Sequence, residues 1–264
     1  MSGFGRRAAV LSTLFVAAFV GTAQQEPPAP RNGVPGDPAA TREELEYSVE
    51  WRLIPAGTAQ IDWTVTPHSG VAASELKMHL QSAGLVSRLF HVDDQYLALM
   101  NQNLCAQSTE VTAHEGSRNR ETHVAFDPQQ RKASYLEKDL NRNTTATQEV
   151  DIPPCVHDVL GGLMMLRNLK LEPGTAVQLP VSDGKRFAQV RVESQRREDL
   201  VTPLGLRKTI RYEVFLFDNV LYKRSGHLHI WLTDDNRRLP VQLQVRLQFT
   251  IGTITFRLSK EGKS

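Results

Sequence analysis

Three groups of side chains in this 264-residue chain are of types that can do chemistry. His227 and His229 stand two apart, which puts both on one face of a strand, with Trp231 next on that face. Two imidazoles on one face could take two corners of a zinc tetrahedron if a third donor came from elsewhere. No partner stands at ligand spacing along the chain, so the pair reads as an exposed or rim face and no metal is expected. His157-Asp158 could serve acid–base chemistry. It opens the apolar run Val156 to Asn168, and such residues more often cap or pair at a helix start. Asp234-Asp235 with Arg237-Arg238 gathers carboxylates, but between two alternating segments, which makes it a turn. Asn143-Thr144-Thr145 fits a glycosylation sequon, discounted here because the chain reads as bacterial. The sequence holds no Gly-x-Ser-x-Gly, His-Glu-x-x-His, phosphate loop or dinucleotide fingerprint. These residues therefore predict no enzyme and no cofactor; an enzyme would need a site that local motifs do not show.

Binding is the better-supported chemistry. Met164 and Met165 are adaptable fillers able to face an acyl chain, and Trp51 and Trp63 lie on the apolar faces of the first two strands. With Leu160 and Leu163 on the same helix as Met164, the expected ligand-binding set is Trp51, Trp63, Leu160, Leu163 and Met164. Each also suits ordinary core packing. Cys105 and Cys155 are too far apart for a Cys-x-x-Cys site. They read as a disulfide if the chain is exported, or as two separate buried thiols.

The elements that must carry these residues are mostly strands, because the dominant period is two. Tyr47, Val49, Trp51 and Leu53 alternate with polar neighbours, Pro55-Ala56-Gly57 reads as a turn, and Ala59, Ile61, Trp63 and Val65 alternate again. The same pattern covers Val241 to Phe249 and Ile254 to Leu258. Turn sequences at Glu172-Pro173-Gly174, Ser182-Asp183-Gly184, Thr202-Pro203-Leu204-Gly205 and Asp234-Asp235-Asn236 separate further runs. Their short spacing predicts a meander of about 12 to 14 strands. Gly84 to His91 predicts one or two helical turns. Val156 to Asn168, apolar nearly all round, predicts a buried helix. A sheet with one apolar face must bury it. One helix cannot cover a dozen flat strands, so the expected fold is mainly β: a large antiparallel sheet curled into a barrel or half-barrel around one central helix. The alternative is a sandwich of two sheets.

The N-terminus supplies the address. Arg6-Arg7, the 13-residue apolar run Ala8 to Val20, and Gly21-Thr22-Ala23 have the order of a cleaved secretory signal. The run is short of the roughly 20 residues that span a bilayer. Residues 1–23 are thus expected to be a signal peptide, 24–42 a disordered Pro/Gly/Ala-rich linker, and 43–260 a single β-rich domain. Location in the periplasm, or secretion, follows, with no membrane span after cleavage. Loss of Arg6 and Arg7, and of no acidic residue, takes the formal net charge from +2 to zero. A balanced chain has no footprint for nucleic acid.

Several strings have a familiar order. YSVEWRLIPAGTAQIDW (residues 47–63), Gly84-Leu85-Val86 with Val92-Asp93-Asp94, Phe126-Asp127, Pro153-Pro154-Cys155-Val156-His157-Asp158 and GHLHIWLTDDNRRLPV (residues 226–241) together resemble the exported bacterial family catalogued as domain of unknown function 3108. The resemblance implies an exported β-rich protein and names no catalytic residue. At a further remove the chain is similar to half-barrel lipoprotein carriers, in which a curved sheet holds acyl chains. The expected function is non-enzymatic binding of a lipid-like or other hydrophobic ligand in the curled sheet. The rival is a structural or interaction module of the cell envelope, with an envelope protein as partner and a filled core.

Overall fold

The computed structural model describes residues 42–68, 71–247 and 252–263. The expected signal peptide, the linker up to Thr41, and Phe249 lie outside the described residues. Fourteen strands form one sheet: β1 (Arg42–Trp51), β2 (Ile54–His68), β3 (Val71–Ser82), β4 (Val92–Met100), β5 (Ala106–Glu115), β6 (Arg118–Asp127), β7 (Lys132–Asp139), β8 (Thr144–Asp151), β9 (Ala176–Ser182), β10 (Phe187–Thr202), β11 (Gly205–Phe215), β12 (Gly226–Thr233), β13 (Pro240–Leu247) and β14 (Thr253–Lys263). Among the described residues two helices, α1 (Gly84–Leu89) and α2 (Val159–Asn168), interrupt them.

The sheet order is β8-β7-β6-β5-β4-β3-β2-β1-β14-β13-β12-β11-β10-β9, antiparallel throughout. It is two meanders joined where the first strand pairs with the last, from Glu43 opposite Lys263 to Trp51 opposite Ile254. The edges β8 and β9 do not pair with each other, so the barrel is not closed by hydrogen bonds. Other contacts bridge the gap. The segment before α2 bonds to both sides: Ala106 N–H donates to the Val156 carbonyl, and Ser182 N–H to the His157 carbonyl. The tip of the β9–β10 hairpin reaches β6, β7 and β8. Gly184 lies against Val124 and Tyr135, Lys185 sits 4.3 Å over the Tyr135 ring, and Gln148 Nε2 donates to the Lys185 carbonyl.

The first turn is not where the sequence suggests. The chain reverses at Arg52-Leu53, and Pro55-Ala56-Gly57 belongs to β2 at a register shift. Gly57 serves close approach instead of a turn: a Cβ there would stand 1.9 Å from the Gln81 carbonyl oxygen. Ala56 turns its own carbonyl to the Ala83 N–H at 2.7 Å.

The helix expected at the centre is also shorter. It starts at Val159 because Asp158 caps it, accepting from the N–H groups of Leu160 and Gly161. Of its ten residues, Gly161, Leu163, Met164, Leu166 and Arg167 are buried, so the helix is covered on part of its circumference only. A sheet wound around one central rod is therefore not what fills the interior. Three clusters of side chains do so. One joins Leu45, Tyr47, Leu76 and Met100 with Met164; a second joins Val190, Tyr212 and Leu232 with Leu163 and Leu166; a third joins Val124, Phe126 and Tyr135 with Ile152 and Val156.

Candidate functional site

The inner faces of β9–β13 supply period-two apolar residues, among them Leu179, Val181, Val190, Val192, Ile230 and Leu243. α2 lies across them with Val159, Leu160, Gly162, Leu163 and Leu166. Between helix and sheet is a crevice of about 90 Å3, and none of the described side chains that line it is polar. Of the five residues expected to bind, Leu160 and Leu163 line this crevice. Met164 does not: it is 1 % exposed and packs in the first cluster, on the other side of the helix. Trp51 and Trp63 pack at the edge of that same cluster. The strand residues of the lining carried a usable signal, since Val190-Arg191-Val192 and Leu228-His229-Ile230 alternate. Nothing in alternation says which face a helix will cover.

α2 is fixed at both ends. At its start, Asp158 Oδ2 accepts from the Tyr96 hydroxyl at 2.8 Å, tying the helix to β4, and from Leu160 N at 3.0 Å and Gly161 N at 3.1 Å. Its Oδ1 is buried with no hydrogen-bond partner among the described residues. Burial pushes the Asp158 carboxyl above the usual carboxylate range, against the pull of those three hydrogen bonds. At the far end, the Arg167 guanidinium grips both carboxylate oxygens of Glu43 on β1, at 2.6 and 3.1 Å, and donates to the carbonyls of Arg237 and Arg238. It also stacks over the Trp63 ring. Its charge sits at the negative pole of the helix.

The residues singled out for acid–base or metal chemistry are engaged separately. His157 is buried, and its Nδ1 lies 2.7 Å from the Leu104 carbonyl oxygen, which fixes the ring proton on that nitrogen. Burial lowers its pKa, against the pull of the Leu104 hydrogen bond and of the Asp158 carboxylate. His227 pairs with Glu213 at 2.9 Å, while His229 stands 3.9 Å from the same carboxylate. Among the described residues no three His, Cys, Asp or Glu side chains are grouped to hold a metal. Asp235 forms the turn, accepting from Thr233 Oγ1 and from the backbone of Arg237 and Arg238. Cys105 and Cys155 are joined in a disulfide, their Cα atoms 5.0 Å apart.

Fold and interior define a class: a barrel-like antiparallel β domain with an apolar inner face. The chain belongs to a family of proteins of unknown function, DUF3108, whose model matches residues 46–259. No curated protein matches it. Among solved structures, a β-barrel-like protein of another domain of unknown function, DUF1849 from Brucella abortus, superposes with a TM-score of 0.51. That match covers 85 % of this chain and 98 % of the other at 7 % identity, and it shows the fold alone. A protein with YmcC-like fold from Bacteroides fragilis matches at a TM-score of 0.38 and 8 % identity, over 84 % of this chain and 95 % of its own.

Proposed function

We propose that this protein is exported to the periplasm and, without catalysing a reaction, holds a slim apolar group in the crevice between α2 and β9–β13. The observation that carries this reading is the lining: apolar side chains from a helix and five strands, with no polar side chain among the described lining residues. Burial of apolar ligand surface there would supply about 25 cal/mol per Å2 before the costs of binding. The address rests on the leader sequence and agrees with the Cys105–Cys155 bridge, since such bonds persist in oxidising compartments. The crevice's 90 Å3 is well below the roughly 300–1,000 Å3 of drug-sized ligand sites. The group it takes is therefore the end of an alkyl chain, not a whole lipid. That same small volume favours a second reading, an envelope interaction module with a filled core.

The two readings separate in one experiment. The protein as recovered from cells is extracted for lipids by mass spectrometry and titrated with a fluorescent alkyl probe. A Cβ at Gly162 would point at Val181 with its nearest contact at 3.7 Å. Gly162→Ala is therefore expected to weaken probe binding several-fold while leaving the fold intact. Empty extracts and no saturable probe binding would remove the binding reading and leave the filled module.

A further inference from the structure

The β1–β2 hairpin turns on two residues, and both lie at positive φ, Arg52 at 50° and Leu53 at 69°. This is the type I′ pattern, for which Asn-Gly is the favoured sequence and a branched apolar side chain is poorly suited. Leu53 is also 81 % exposed, the highest value among the exposed large hydrophobic residues described. A residue that strains the backbone and buries nothing is the kind of outlier that points to function. The same end of the sheet carries α1, which follows directly where Ala83 N–H bonds to Ala56 of β2. Leu85, Leu89 and Phe90 there are 59 %, 69 % and 54 % exposed, and Arg88 lies in the last turn.

Beside the hairpin tip opens a polar groove of about 1,010 Å3 on the outer face of β13 and β14. Arg52 and Leu53 form part of its wall, with Arg246, Arg257 and His227. Gln244, Thr253 and Thr255 add neutral hydrogen-bonding groups, and Asp218 is the one acidic side chain among the described lining residues. Arg257 is partly balanced by Glu50 at 3.6 Å, and His227 by Glu213. The described lining carries three arginines against one carboxylate, and the exposed Leu53 stands at its mouth.

We infer that this end of the sheet docks on a bilayer containing anionic phospholipid, with Leu53 entering the acyl region and the Arg52–Arg246–Arg257 groove facing lipid phosphates. Apolar residues that enter the acyl boundary beside arginines that meet the headgroups are the combination that holds proteins on membrane surfaces. The docking stands whether or not the crevice at α2 holds a ligand.

The test places a reporter at the tip. The Leu53→Trp protein is mixed with vesicles of phosphatidylcholine alone, or with phosphatidylglycerol added, each with and without brominated acyl chains. The expected result is a blue shift and bromine quenching of the new indole with the anionic vesicles only. Because the signal comes from position 53, vesicle binding by the N-terminal apolar run does not produce it. Arg246→Gln in that background should weaken binding about fivefold, and 0.5 M salt should weaken it further. Leu53→Asn should abolish sedimentation of the tip-dependent fraction while melting no lower than the unsubstituted protein, since Asn accepts positive φ. An unquenched indole at saturating anionic lipid, or equal quenching by neutral vesicles, would overturn the proposal. So would saturable binding of inorganic phosphate in the groove with no vesicle binding, which would make it a site for soluble oxyanions.

Discussion

His157 and Asp158 are neighbours whose burial acts in opposite directions. The native state lowers the His157 pKa, so it binds fewer protons than the unfolded chain once the pH drops below the ordinary histidine value of about 6.5. Stability from this residue is complete above that value and is lost as pH falls through the window down to the lowered native pKa. Asp158 has a raised native pKa, so it binds more protons than the unfolded chain between the ordinary and the raised value. Its contribution is complete below the ordinary carboxylate pKa and is lost as pH rises through the raised one. Between pH 8 and pH 5 the urea midpoint of His157→Gln should therefore fall less than that of the unsubstituted protein, because only the unsubstituted chain loses the histidine contribution. A His157→Gln profile that falls as steeply as the unsubstituted one would mean another group sets the acid response. The sequence marked this pair as a helix-start cap or an acid–base pair. It could not show that each residue would be consumed by a different partner, Leu104 for one and Tyr96 for the other, because both partners are more than fifty residues away.

At the scale of elements, α2 contains two adjacent glycines that should respond oppositely to the same change. Replacing Gly by Ala inside a helix stabilises it by about 1 kcal/mol when the methyl has room. At Gly162 the methyl enters the crevice at ordinary contact distance, so Gly162→Ala should raise stability by roughly that amount. At Gly161 a Cβ would meet Asp158 Oδ1 at 2.5 Å and Met100 Sδ at 2.9 Å. Gly161→Ala must push the cap or the helix aside, and it should cost about 1–3 kcal/mol despite its better helix propensity. Thermal melts of the two variants check both signs, and a stabilised Gly161→Ala would show that the cap is loosely held. Strands were legible because alternation such as Val241, Leu243 and Val245 depends only on which face is buried. The position of the first turn was not. Pro55-Ala56-Gly57 carries turn residues, yet the glycine is there to admit Gln81, a partner that no local pattern reveals. The helix was legible as apolar. Its start is set locally by the Asp158 cap, which the sequence also marked, whereas its partial coverage depends on which strands lie beneath it and follows from the assembled sheet.

On the scale of the whole molecule, the sheet order explains why the cysteines matter. The strands at the two chain ends pair in the middle of the sheet, and the edges β8 and β9 come from the middle of the sequence. An open antiparallel sheet of this width would be free to uncurl unless its edges were held. β8 has seven exposed residues of eight and contributes little packing of its own. The Cys105–Cys155 bond ties the start of β5 to the segment that leads from β8 to α2, across a separation of 50 residues that contains β5 to β8. In the chain-entropy account, closing a loop of that size stabilises by about 4 kcal/mol. The bridge also keeps Ala106 beside Val156, and Val156 beside the third cluster. Cys105→Ser with Cys155→Ser should therefore lower stability by about 3–4 kcal/mol, and unevenly. Hydrogen exchange should quicken first in β6 to β8, where only the third cluster and the β9–β10 hairpin tip still hold the wing. Exchange in β10 to β13, anchored by the second cluster, should change least at temperatures below the melt. A uniform rise across all fourteen strands would mean that the sheet opens as one unit and that the bridge acts only on the unfolded chain.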